Sequence, residues 1–244
     1  LNKTMGYSNN YILIGFIGFL IADEIPDGAA YATWDYKIHN VGQVKQVITN
    51  MGYLGFHCPV PGGHIQQKCV YPKGSTNSFL YSGGMFNVVG IRNGQKLCST
   101  SDAWSADSPY CAYEFFPSEE SWDTIYTATR NEVISTPYLE NYTGLADQNF
   151  IFRLNDYSYE IPDQVSPLGI DVIVLSHAWS SHPFDDFILF EYFAIPKYEI
   201  EDAYFFYYAG VQLQTGTATN SFDNLVYYDE DRRMLVVDDQ PGGD

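Results

Sequence analysis

Short apolar or alternating runs, each closed by Gly, Pro, Asn, Asp or Ser, recur along the chain, and no stretch sustains the 3.6-residue period of an amphipathic helix. The pattern predicts strands over residues 41–49, 79–92, 95–99, 112–116, 150–154, 170–176, 184–194, 203–213, 224–228 and 234–237. Asn93-Gly94 between two of these runs predicts a two-residue hairpin, because both residues tolerate positive φ. Gly83-Gly84 reads as a bulge or a close strand approach rather than a phosphate loop, since no Lys follows and no helix opens there. One short helix is expected from 117, where Ser118 offers a cap and Glu119 and Glu120 supply early acids before Trp122, Ile125 and Tyr126.

Many short strands with at most one or two short helices predict an all-β fold, an antiparallel β-sandwich of two packed sheets. Along 186–192, Phe187, Leu189 and Glu191 share one face and Ile188, Phe190 and Tyr192 the other, so this strand is expected to be central. The run 203–210 has the same character, and antiparallel pairing of the two is expected across residues 195–202. The division expected is an apolar N-terminal segment over 1–38, a cysteine-bearing half over 39–155 and an acidic half over 165–244, with the halves packed as one unit.

The segment 11–22 is nearly all apolar but shorter than the ~20 residues a membrane helix needs. Lys3 before it and Gly28-Ala29-Ala30 after it fit the core of a signal peptide. Retained, the segment must be buried in its own core or donated to a neighbouring sheet, which makes Ile12, Leu13, Ile14, Phe16, Ile17, Phe19 and Leu20 candidate assembly residues.

Composition narrows the classes. The 244 residues include 21 Tyr and carry 12 cations against 30 acids, a formal charge of −18. That aromatic content excludes a disordered acidic tail, and the scattered cations give a nucleic-acid backbone little to bind. No nucleic acid and no membrane span are expected. The four cysteines, Cys58, Cys69, Cys98 and Cys111, are expected to pair locally, 58 with 69 and 98 with 111, each bridge contributing about 2–3 kcal/mol in an oxidising compartment. Zinc is the alternative, since His57 adjoins Cys58 and His64 lies inside the first pair, but neither pair has the two-to-four-residue spacer usual for zinc.

Residues 39–55, 71–75 with 81–84, 178–192 and 227–233 resemble a group of uncharacterised exported proteins of environmental bacteria, in which a β-sandwich often precedes a C-terminal surface-sorting or immunoglobulin-like module. The most specific phrase is 178–192, Ala-Trp-Ser-Ser-His-Pro-Phe-Asp-Asp-Phe-Ile-Leu-Phe-Glu-Tyr. The resemblance implies export and a β fold and carries no catalytic residue.

From Asp156 to Asp231 the chain has 14 acids against one cation between Arg153 and Arg232, Lys197. Asp185, Asp186, Asp223, Asp229 and Asp231 are candidate oxygen ligands for calcium at strand ends, against the plainer reading of a solvated acidic rim. Asp186 and Glu191 are the closest approach to a glycosidase pair, but their odd offset on a strand puts them on opposite faces. Glu191, beside Phe187 and Leu189, is expected to meet a partner such as Lys197 or to lie at an edge position, against the alternative of a half-buried acid with a raised pKa. Ser176-His177 and Ser181-His182 form no dyad for the same reason of facing, and no nucleophile elbow is present. Trp179 reads as packing, while Trp104, Trp122 and the tyrosines could line a glycan-binding face. Asn2 and Asn141 match the glycan-acceptor pattern. The expected function is an extracellular structural or interaction protein, not an enzyme, such as a surface-layer or filament subunit that self-associates or binds other surface proteins. The alternatives are a carbohydrate-binding module or glycan-active enzyme, and a calcium-stabilised adhesion domain.

Overall fold

A computed structural model of the chain describes residues 18–20, 35–50, 52, 54, 69–76, 79–100, 115, 117, 124–157, 166–211 and 224–239. In chain order the strands are β1 (Gly18–Leu20), β2 (Tyr36–His39), β3 (Lys45–Thr49), β4 (Cys69–Val70), β5 (Leu80–Arg92), β6 (Gln95–Thr100), β7 (Tyr126–Ala128) and β8 (Val133–Thr136). There follow β9 (Leu139–Thr143), β10 (Gln148–Asn155), β11 (Ile170–Ala178), β12 (Ile188–Pro196), β13 (Glu201–Val211), β14 (Asn224–Asp229) and β15 (Met234–Asp239). No helix occurs among the described residues; most of the helix expected from 117 falls outside them, and Tyr126, expected at its end, instead begins β7. The all-β expectation holds.

The largest sheet has the order β1-β12-β11-β10-β7. Phe150, Phe152, Leu154, Ile170, Val172, Val174, Ile188, Phe190 and Tyr192 alternate onto one face of it and form one buried cluster with Leu80 and Val88 of β5 and Ile48 of β3. Three-stranded sheets, β13-β5-β6 and β2-β3-β4, supply that opposite layer. Tyr192 of β12 meets Tyr207 of β13 edge-on across the interior, ring centroids 6.3 Å apart. Burying both hydroxyls pushes the two phenols above their ordinary range.

That contact corrects one expectation. The strands over 188–196 and 201–211 do not pair with each other: β12 lies between β11 and β1, while β13 pairs antiparallel with β5. With both edges of β12 taken, the chain crosses to the opposite layer through Lys197–Ile200 instead of turning back as a hairpin. Strands from both sides of residues 155–167 therefore share the sandwich.

The other local readings resolve by geometry. Asn93 and Gly94 have φ of 51° and 74° and close β5 onto β6. Gly84 is the extra residue where the β13–β5 register slips between Met85 and Gly83, which makes it a bulge. The strand expected from 41 starts at Lys45, because 41–43 bends to dock on the β11–β12 connector, and the strand expected from 184 starts at Ile188, because 184–187 belongs to that connector.

Residues Phe19 and Leu20 of the candidate assembly segment lie in β1, which pairs parallel with β12 of its own chain. Ile12, Leu13, Ile14, Phe16 and Ile17 lie outside the described residues, as do Cys58, Cys111, Asn2, Asp223, Trp104 and Trp122. No disulfide is present among the described residues. Cys69 is a buried free thiol, its pKa pushed up to about 12 by burial, while its expected partner Cys58 lies outside the described residues. Cys69 packs inside the apolar cluster on β4. Cys98 sits exposed on β6.

Candidate functional site

Polar residues gather where β11 leaves the sheet. Ser176 and His177 point to opposite faces, and each face holds a separate hydrogen-bond network. On the inner face, His39 Nε2 lies 2.9 Å from Ser176 Oγ and His39 Nδ1 lies 3.1 Å from Gln148 Oε1. Gln148 donates through Nε2 to the Ile38 carbonyl and accepts the Asn40 amide at Oε1, which fixes its orientation. The Nδ1 of His39 is therefore the donor to Gln148, and Nε2 accepts the Ser176 hydroxyl. Burial is the main cause that lowers the His39 pKa to about 3, so the ring is neutral. It stacks on Phe150 with centroids 4.2 Å apart.

These are the contacts of a nucleophile with its base, brought together from positions 137 residues apart. His39 and Ser176 are both fully buried, however, and their contact ties β2 to β11 away from solvent. The one sequence signal was a polar residue inside a wholly buried strand run.

On the outer face, His177 Nδ1 lies 2.8 Å from Asn149 Oδ1 and Nε2 lies 2.7 Å from Glu191 Oε1. Asn149 donates to the carbonyls of Ala128 and Ala146 at 2.8 Å each and also accepts the Ala146 amide and the Tyr142 hydroxyl. Glu191 thus meets His177, not the expected Lys197, whose ammonium lies 4.7 Å from the centre of the Tyr157 ring. The strand register explains the difference: Leu189 sits directly opposite His177, and Glu191 is the diagonal neighbour on the same face.

The β11–β12 connector continues from this network. Its start is held by Asp147, which accepts the Ser180 amide and hydroxyl at 2.8 and 2.6 Å while contacting Arg130 at 3.0 Å. Those Ser180 hydrogen bonds hold the Asp147 carboxyl below its usual range. Its far end is held by Gln43, whose amide donates to the Asp185 carbonyl at 2.7 Å. The Trp179 ring packs against Phe184 and Phe187 at 6.0 and 5.5 Å and lies 6.2 Å from the His177 ring. Phe184 remains 51% exposed, so these rings form a surface patch and not only packing.

Beside that patch, donor atoms of His182, Asp185 and Asp186 converge within 4.8 Å. The Tyr71 hydroxyl donates to Asp186 Oδ1 at 3.4 Å, and burial together with Asp186 and Asp185 raises that phenol. Among the described residues the candidate calcium ligands are not gathered in one place. Asp185 and Asp186 join His182, whereas Asp229 accepts the Arg232 amide and guanidinium at 2.9 and 2.8 Å in the β14–β15 turn with Asp231. Calcium takes about 6–8 oxygens, and the connector offers two carboxylates and a nitrogen. Asn141 is exposed on β9. Among the described residues no helix is long and apolar enough to cross a membrane. No family model matches the chain, and neither the curated proteins nor the solved structures contain a significant match to it.

Proposed function

We propose that the chain is an extracellular structural or interaction protein whose exposed strands associate with further copies or with other surface proteins. The observation that carries this reading is the β14–β15 ribbon. It is a two-stranded sheet of its own, with neither outer edge paired among the described residues. Val226, Tyr228 and Leu235 on one face are 55, 58 and 65% exposed, and Leu225 and Tyr227 on the other are exposed as well. An isolated two-stranded hairpin is marginal in water, and unpaired apolar edges invite a further strand. The Ser176–His39 pair is fully buried, which favours interaction over hydrolysis. The resemblance of residues 178–192 to exported proteins supports a place outside the cell.

Sedimentation of the full chain across concentrations tests the reading. Self-association that is lost when Tyr228 and Leu235 are replaced by Ser supports it. A chain that stays monomeric throughout and captures no other surface protein through this ribbon overturns it.

A second reading, glycan binding, is favoured by the Trp179, Phe184 and Phe187 patch beside Asp186 and Glu191, since aromatic faces stack on sugars and carboxylates accept their hydroxyls. Saturable glycan-array binding that disappears in Phe184→Ala supports this reading, and an array without signal removes it.

A further inference from the structure

We infer that the ribbon's occupant is a second copy of the same chain, joined antiparallel through the outer edge of β15. This rests on the interaction reading above and names its partner. The order of charges along the two available edges selects this pairing. β15 begins just after Arg232-Arg233 and ends in Asp238-Asp239. An antiparallel pairing centred on Val236 brings the Asp238-Asp239 end of β15 in one copy to the turn of the other that carries Arg233, whose φ of 52° ends the strand there, cation against acid, twice over by symmetry. A parallel pairing sets cation beside cation and acid beside acid, and like charges directly opposite oppose pairing.

The edge of β14 is excluded on the same grounds. It is preceded by Asp223, ends in Asp229 and is followed by Glu230-Asp231, so antiparallel self-pairing places acid against acid at both ends. Arg232 is already tied to Asp229 within the turn, while Arg233 is exposed.

Apolar continuity agrees with this choice. Val226 pairs with Val237 and Tyr228 with Leu235 across the ribbon. The same centred register places Leu235 of one copy beside Val237 of the next, so one apolar face runs unbroken through a four-stranded sheet. Three or more strands with an apolar face are what independent stability requires. The interface uses the same patch on both copies and closes at two, so it yields a dimer and not an open filament. In a chain of net charge −18, association needs such a local exception to the general repulsion.

Sedimentation equilibrium of the full chain, with far-UV circular dichroism as the folding control, tests the pairing. The wild type is expected to dimerise, more weakly as salt is raised. Arg233→Glu and Asp239→Arg are each expected to weaken the dimer roughly tenfold or more, and the double reversal to restore it. Association that ignores both reversals, or a double reversal that rescues nothing, overturns the β15 pairing and leaves the broader interaction reading standing. A wild type that is monomeric yet binds another surface protein through the ribbon overturns the dimer alone, and one that does neither overturns both.

Discussion

Ser99 on β6 donates its hydroxyl to Asp156 at 2.6 Å, joining one layer of the sandwich to the segment that links β10 to β11 in the other. The same carboxylate accepts the amides of Leu168, Gly169 and Ile170 at 2.9, 3.0 and 2.7 Å. Burial pushes the Asp156 carboxyl up, and these four donors pull against it. Asp156→Asn turns one acceptor into a donor facing amides, so a loss of about 2–4 kcal/mol is expected in urea unfolding. Ser99→Ala, which removes one donor of four, is expected to lose about 1 kcal/mol. Equal losses in the two variants would show that Ser99 does more than donate this bond.

The His39 ring makes stability depend on pH. Its folded-state pKa is about 3 against an ordinary 6.5. Between those values the unfolded chain binds a proton that the folded chain does not. Stability is therefore full above about pH 6.5 and declines as pH falls toward 3, at up to about 1.4 kcal/mol per pH unit. Asp156 works in the opposite sense, because its raised folded-state pKa makes the folded chain hold a proton that the unfolded chain has released. Urea unfolding at pH 7, 5 and 4 on the wild type and on His39→Gln isolates the histidine, since Asp156 is common to both. The variant is expected to show the shallower decline over this range, and parallel declines would contradict the assignment.

How far the sequence predicts the fold follows from the reach of each signal. The Asn93-Gly94 turn and the Gly83-Gly84 bulge are local, because the residues that need unusual backbone geometry are adjacent to the strands they shape. The two faces of 188–194 were legible from alternation alone. Pairing was not: apolar faces on both runs predict two central strands, yet β13 is an edge strand with Tyr204, Phe205 and Phe206 exposed, and it meets β5 across more than a hundred residues. The candidate site divides the same way. The facing rule correctly denies a Ser176–His177 dyad, yet it cannot supply His39 or Gln148, which arrive from β2 and β10.

Gly42 is a second place where a distant approach decides a local shape. A methyl group there would lie 2.6 Å from the Trp179 carbonyl oxygen and still closer to that of Asp185. Neither backbone atom can yield without moving the connector. Gly42→Ala is expected to lower the melting temperature and to change the near-ultraviolet circular dichroism of the Trp179, Phe184 and Phe187 group. A stabilised or spectrally silent variant would show that the loops part without strain.

The proton shared by His177 and Glu191 gives a finer test. Asn149 presents its oxygen to Nδ1 because its nitrogen is committed to two carbonyls, so Nδ1 must carry a hydrogen. A proton must also lie between Nε2 and Glu191 Oε1, 2.7 Å apart, since two bare acceptors would repel. Glu191→Gln can place an amide donor against an unprotonated Nε2 and preserve the contact. Stability within about 1 kcal/mol of wild type is expected, with side-chain nitrogen shifts reporting a neutral His177 protonated at Nδ1. Glu191→Ala leaves the buried Nε2 without its partner, and a loss of about 1–3 kcal/mol is expected. If Gln is as damaging as Ala, the carboxylate charge and not the hydrogen bond holds the ring in place.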